Sequence, residues 1–159
     1  MIRLFHFVGT AVLITSALGL LLFYGVLAIE LAQLVTPGVQ TIDPIAWETA
    51  RAHAQSALTT FLIFTGLLLV IFVEPPSPWW TGGDILSGDW RPTLLALGLM
   101  LAFLVLMLVS PLRGIFALSP LSGATWLLSI SFTIVWLFVV RFLWRVRALT
   151  RLLQFGKSS

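Results

Sequence analysis

The side chains that could do chemistry in this sequence are few, and they interrupt long apolar stretches. Glu30 breaks the first apolar run, and a second run carries four hydrogen-bonding side chains within six residues: Gln55, Ser56, Thr59 and Thr60. A carboxylate inside a membrane is costly and therefore often marks a path for ions, to which hydroxyl and amide oxygens can add ligands. These five residues are the candidates for a cation path.

Each candidate also has a structural interpretation, which we favour. The apolar run before Glu30 is already long enough to cross a bilayer, so its carboxylate is expected to reach the interface. Hydroxyls inside helices commonly bond to the preceding turn or to a neighbouring helix. The same interpretation applies to Ser129, Ser131 and Thr133 in the last apolar run.

Several kinds of site can be excluded from the residue types. The chain has no cysteine, which excludes disulfides and thiolate ligands. Its two histidines, His6 and His53, are expected at opposite membrane interfaces, so they cannot form a metal site together. The turn-rich segment 81–84 lacks the G-K-[ST] ending of a phosphate loop. We predict no catalytic, cofactor-binding or metal-ligating residue.

The composition predicts an integral membrane protein whose main partner is the lipid bilayer. Of 159 residues, 59% are hydrophobic and only 9% are charged, and the mean hydropathy is +1.07. A soluble domain carries about 25% charged residues, so this chain could not cover a folded surface in water.

Four apolar runs predict an all-α fold of four transmembrane helices in a bundle, forming one domain over residues 1–159. The expected spans are about 4–35, 54–73, 93–110 and 123–145, followed by a basic cytoplasmic tail at 146–159. Each span approaches the roughly 20 residues that cross a bilayer, and continuous rather than alternating hydrophobicity favours helices over a β-barrel. The first run exceeds the roughly 7–15 apolar residues of a signal peptide, so we expect it to be retained as a span.

The basic residues predict the orientation. With four spans, seven Lys and Arg residues lie on the side of the termini and two, Arg51 and Arg113, on the other, which places both termini in the cytoplasm. We expect the plasma membrane as the location. The basic residues of the tail directly follow an apolar run, which favours anchoring at anionic headgroups and argues against nucleic acid as a partner.

Two features bear on how the helices pack. Ala11, Thr15 and Gly19 recur every four residues and predict a ridge that a neighbouring helix can approach closely, and Gly98 with Ala102 predicts a shorter one. Six of the seven tryptophans are expected near membrane interfaces or in the inner loop. The exception, Trp136, is expected either to pack between helices or to face lipid.

The segment from Pro111 to Leu127, P-L-R-G-I-F-A-L-S-P-L-S-G-A-T-W-L, resembles the loop before the last helix of P-type cation-transporting ATPases. Glu48-Thr49-Ala50-Arg51, followed by Ala54 and Thr59-Thr60, resembles the signature that opens the eighth helix of these pumps. The resemblance covers about residues 5 to 150. It implies that the chain corresponds to helices seven to ten, the C-terminal transmembrane module.

The departures from the family pattern limit what this resemblance implies. Ala52 replaces the expected threonine, the region of Leu62 lacks the carboxylate of calcium pumps, and Val140-Arg141 stands where an acidic residue is usual. The sequence contains no D-K-T-G phosphorylation motif and no nucleotide-binding domain. The resemblance therefore implies no calcium specificity and no ATP hydrolysis by this chain alone.

The function implied by the resemblance is a support portion of a pump that braces the transport helices. Its partners would be the remaining helices and catalytic domains of a P-type ATPase, and whether the chain counts as part of an enzyme stays open. The sequence also leaves open whether it is a fragment or a separate gene product. The alternative is a free-standing four-helix membrane scaffold or regulatory subunit.

Overall fold

Helices account for nearly all of the chain that the computed structural model describes, which is residues 2–34, 43–73 and 91–155. Side chains are described for residues 9, 11–33, 43–71 and 91–142. In these segments α1 covers Ile2–Leu34, α2 Pro44–Val73, α3 Arg91–Leu108, α4 Ser110–Ile115 and α5 Gly123–Phe155. Most of the expected inner loop, including segment 81–84, lies outside the described residues.

Four of these helices are long and apolar enough to cross a membrane. The candidate spans are Ala11–Gln33, Pro44–Ile71, Arg91–Leu108 and Gly123–Phe142. The predicted all-α fold with four transmembrane helices in a bundle is confirmed. The helix α5 also continues without a break past its apolar part as far as Phe155, into the basic tail.

Helix α2 is the centre of the bundle, because it packs against α1, α3 and α5. The main core lies between α1, α2 and α5 and contains Leu22, Phe61 and Trp136. A smaller core joins α2 to α3, where the rings of Phe64 and Phe103 meet edge to face with their centroids 6.0 Å apart. Such aromatic pairs add to the stabilisation from burial alone.

The ridge of small residues on α1 lies inside the bundle. Ala11 and Gly19 are buried, and a Cβ atom added at Gly19 would lie only 3.0 Å from Cδ1 of Leu58 on α2. The missing side chain therefore allows the close approach of α1 and α2. Gly98 and Ala102 differ, because both are exposed and nothing lies near the position of a Gly98 Cβ.

Helix α2 begins at Pro44, ten residues before the apolar run from which we expected the second span. Asp43 caps the N-terminus of α2, since its Oδ1 accepts a hydrogen bond of 3.1 Å from the Ile45 amide. Pro44 suits the first helical position because it has no N–H to satisfy there. Thirty residues of helix measure about 45 Å, against about 30 Å of hydrocarbon. Helix α2 is therefore longer than the apolar layer is thick.

The connection between α3 and α5 contains a helix of its own. The short helix α4 starts after the single residue Val109 and ends in a Schellman motif, in which the amides of Ala117 and Leu118 bond to the carbonyls of Gly114 and Arg113. This motif requires a left-handed residue, and Ala117 adopts it with φ of 51°. The sequence pattern predicted only a hairpin here, because six residues are too few to show helical periodicity.

Candidate functional site

The four polar candidates on α2 divide between two faces of the helix. Ser56 and Thr60, one turn apart, are buried in the bundle, whereas Gln55 is exposed and Thr59 is half-buried. Glu30 lies on α1, near its C-terminal end. The structure therefore does not bring the five candidates to one point.

The hydroxyl hydrogens of these candidates are used within their own helix. Ser56 donates to the carbonyl of Ala52 at 2.9 Å, Thr60 to that of Ser56 at 2.8 Å, and Thr59 to that of Gln55 at 2.9 Å. On α5, the buried Ser129 and Thr133 bond back in the same way, while Ser131 is exposed. Bonding of this kind satisfies a hydroxyl in an apolar environment.

Ser56 has a second partner that distinguishes it from the other candidates. Its Oγ accepts a hydrogen bond of 2.8 Å from the amide of Ser119, 63 residues away in the connection before α5. The same connection supplies the cap of α5, because Oγ of Ser122 accepts a hydrogen bond from the amide of Thr125. One buried hydroxyl thus ties the connection to the central helix.

Glu30 pairs with a residue that the sequence did not link to it. Its Oε1 lies 3.3 Å from Nδ1 of His53 on α2, and the side chains are only 22% and 26% exposed. Glu48 and Arg51, about one turn nearer the beginning of α2, form a looser and exposed pair at 4.0 Å. Exposed pairs contribute little to stability, so the pair between the two helices is the more important of the two.

The sequence positions of Glu30 and His53 allow this contact but do not predict it. Glu30 lies near the end of α1 and His53 lies in the first half of α2, so the antiparallel course of these consecutive helices allows a contact. Whether the contact forms depends on how each helix is rotated about its axis. A helix as uniformly apolar as α1 gives no polar stripe from which that rotation can be read.

Trp136 packs between helices, at the predicted ridge of α1. Its ring is 1% exposed, and Nε1 donates a hydrogen bond of 2.7 Å to Oγ1 of Thr15, which in turn donates to the carbonyl of Ala11 at 2.8 Å. This chain of bonds joins α5 to α1 inside the membrane-spanning part. A buried indole is expected to find such a partner for its N–H.

Within the described residues, no group of three or more His, Asp or Glu side chains could hold a metal ion. These polar contacts join α1 to α2, α1 to α5, and α2 to the connection before α5. These contacts can fix the positions of the helices relative to one another.

The fold defines the class of the molecule as an all-helical membrane protein of four spans. No protein-family model, no curated protein and no solved structure matches the chain.

Proposed function

We propose that the chain is the C-terminal membrane support portion of a P-type cation-transporting ATPase, with ion transport and ATP hydrolysis carried out by other parts of the pump. The observation that carries the proposal is a contact between the two segments that resemble the family. Ser119 lies in the Pro111–Leu127 segment and Ser56 lies between Arg51 and Thr59 in the other, and they are hydrogen-bonded. Two separate resemblances therefore belong to one structural unit.

The bracing role is supported by how the bundle is held together. Its interior contains packed apolar residues, backbone-bonded hydroxyls and one indole bond between helices. Helices that brace a moving transport core need close packing more than buried charge. The Gly19 contact and the buried Trp136 supply that kind of packing.

P-type pumps form a covalent aspartyl phosphate, which gives a direct test. The chain would be affinity-tagged in the membranes of its own cells, purified in mild detergent and incubated with labelled ATP. We expect an acid-stable, hydroxylamine-sensitive phosphoenzyme on a larger polypeptide, either continuous with the chain or bound to it. The chain purified alone should form none, because it has no D-K-T-G motif.

Two outcomes would contradict this proposal. ATP hydrolysis by the purified chain alone would show that it carries its own catalytic machinery. A tagged chain that purifies from its own membranes without any phosphoenzyme would favour the free-standing scaffold. Reading the coding sequence upstream of Met1 for a D-K-T-G motif and six further spans provides an independent check.

A further inference from the structure

The short helix α4 exposes apolar side chains on one side. Leu112, Ile115 and Phe116 follow the helical spacing of three and four residues, and Ile115 and Phe116 are 75% and 61% exposed. We call these three residues the apolar face of α4. If this connection stood in water, the exposure of such large side chains would be unfavourable.

The depth of the connection is fixed by its attachments. Only Val109 separates α4 from the end of α3, so α4 stays at the level where that span ends. On the other side, the Ser119 amide is bonded to Ser56, which already lies inside the apolar run of α2. The connection therefore reaches down to the beginning of the apolar layer.

Several backbone amides of the connection are paired within the protein, as this depth requires. The amides of Arg113, Ala117, Leu118 and Ser119 all have acceptors, and Pro111 has no N–H to satisfy. Irregular backbone is tolerated at membrane depth only when its polar groups find partners within the protein.

The charge of Arg113 is also accommodated. Its Nη1 donates to the carbonyl of Met107 at 3.1 Å, at the last turn of α3, where a cation is favoured by the helix dipole. The guanidinium is therefore held against the protein, and no charged residue belongs to the apolar face of α4.

We propose that α4 is an interfacial helix, whose apolar face inserts into the outer leaflet at the boundary between headgroups and acyl chains. The partner is lipid, because the face continues the apolar surface of the flanking spans. Leu108 at the end of α3, which precedes it in the chain, and Leu127 in the first turns of α5, which follows it, are exposed as well. Amphipathic segments lie in the interface in this way.

The chain itself offers a matched control. Ile45 on α2 is 75% exposed, the same as Ile115, but it precedes Ser56 by eleven residues, about 16 Å of helix. Leu101 in the middle of α3 is 64% exposed and serves as a reference within the hydrocarbon. Because the chain has no cysteine, each single-cysteine variant can be labelled at one position only.

The test uses Ile115→Cys, Ile45→Cys and Leu101→Cys, each spin-labelled in the full chain and reconstituted into phosphatidylcholine–phosphatidylglycerol vesicles. Molecular oxygen partitions into the bilayer, whereas a water-soluble nickel chelate stays outside. We expect the ratio of oxygen to nickel accessibility at position 115 to exceed that at position 45 several-fold, and to stay below that at position 101, which lies deeper in the hydrocarbon.

Two results would overturn the proposal. A ratio at position 115 equal to that at position 45 would place α4 in water. Low accessibility to both reagents at position 115 would mean that protein, rather than lipid, covers the face. Phe116→Cys repeats the measurement on the same face if Ile115→Cys does not fold, with far-ultraviolet circular dichroism as the check on folding.

Discussion

Among the polar side chains of α2, Ser56 is distinguished by what its oxygen accepts. Thr59 and Thr60 donate to their own helix, and such bonds are local to one turn. Ser56 donates locally too, but it also accepts from the amide of Ser119 across the bundle. The long-range bond is the one whose loss would change how elements are held together.

Replacing Ser56 with alanine should destabilise the protein more than the same replacement at Ser129. Both serines are buried and bond back to the preceding turn, but only Ser56→Ala leaves an amide of another segment without its acceptor. An unpaired buried amide costs about 1–3 kcal/mol, and because Ser119 is only half-buried we expect the lower end of that range. Thermal unfolding in detergent micelles would measure the difference, and amide hydrogen exchange at Ser119 would show its cause.

Equal losses of stability for Ser56→Ala and Ser129→Ala would contradict the claim that the Ser56–Ser119 hydrogen bond stabilises the attachment of the connection to α2. Faster exchange at Ser119 in the Ser56 variant alone would support it.

At the scale of elements, the connection between α3 and α5 depends on how α4 ends. The chain leaves α4 through a left-handed residue, and that residue is Ala117 rather than glycine. A side chain in this conformation costs roughly 1 kcal/mol because its Cβ approaches the following carbonyl group. The two hydrogen bonds of the Schellman motif and the packing of Leu118 on the smaller core offset that cost.

Ala117→Gly should therefore stabilise the protein, by about 0.5–1 kcal/mol, because glycine adopts the left-handed conformation freely. The control is Ala102→Gly in the middle of α3, where the same chemical change should destabilise by about 1 kcal/mol. Both residues are exposed, so neither change removes buried contacts. Thermal unfolding shifts of the same sign for the two variants would show that the strain at position 117 is not relieved by glycine.

At the scale of the whole molecule, the sequence predicted four membrane-spanning helices in a bundle, because long apolar runs indicate them. It also identified the Ala11–Gly19 ridge, because small residues at helical spacing allow close packing. It left Trp136 undecided between lipid and the core, since both environments are apolar and a uniformly apolar helix has no polar side to orient it. The Glu30–His53 pair depends on helix rotation in the same way, and α4 is too short to show a period.

The orientation of the bundle is a prediction at the same scale, and it rests on charge. Seven basic residues on the side of the termini against two on the other favour cytoplasmic termini. A cysteine at Ser159 should therefore resist an impermeant maleimide in intact cells and react after lysis, whereas Ile45→Cys should react in intact cells. A second variant replaces four arginines of α5 with glutamine: Arg141, Arg145, Arg147 and Arg151. It leaves three basic residues on the side of the termini against two on the other side. The weaker charge difference should increase labelling at position 159 in intact cells. Labelling at position 159 before any replacement would reverse the orientation and place α4 at the inner leaflet.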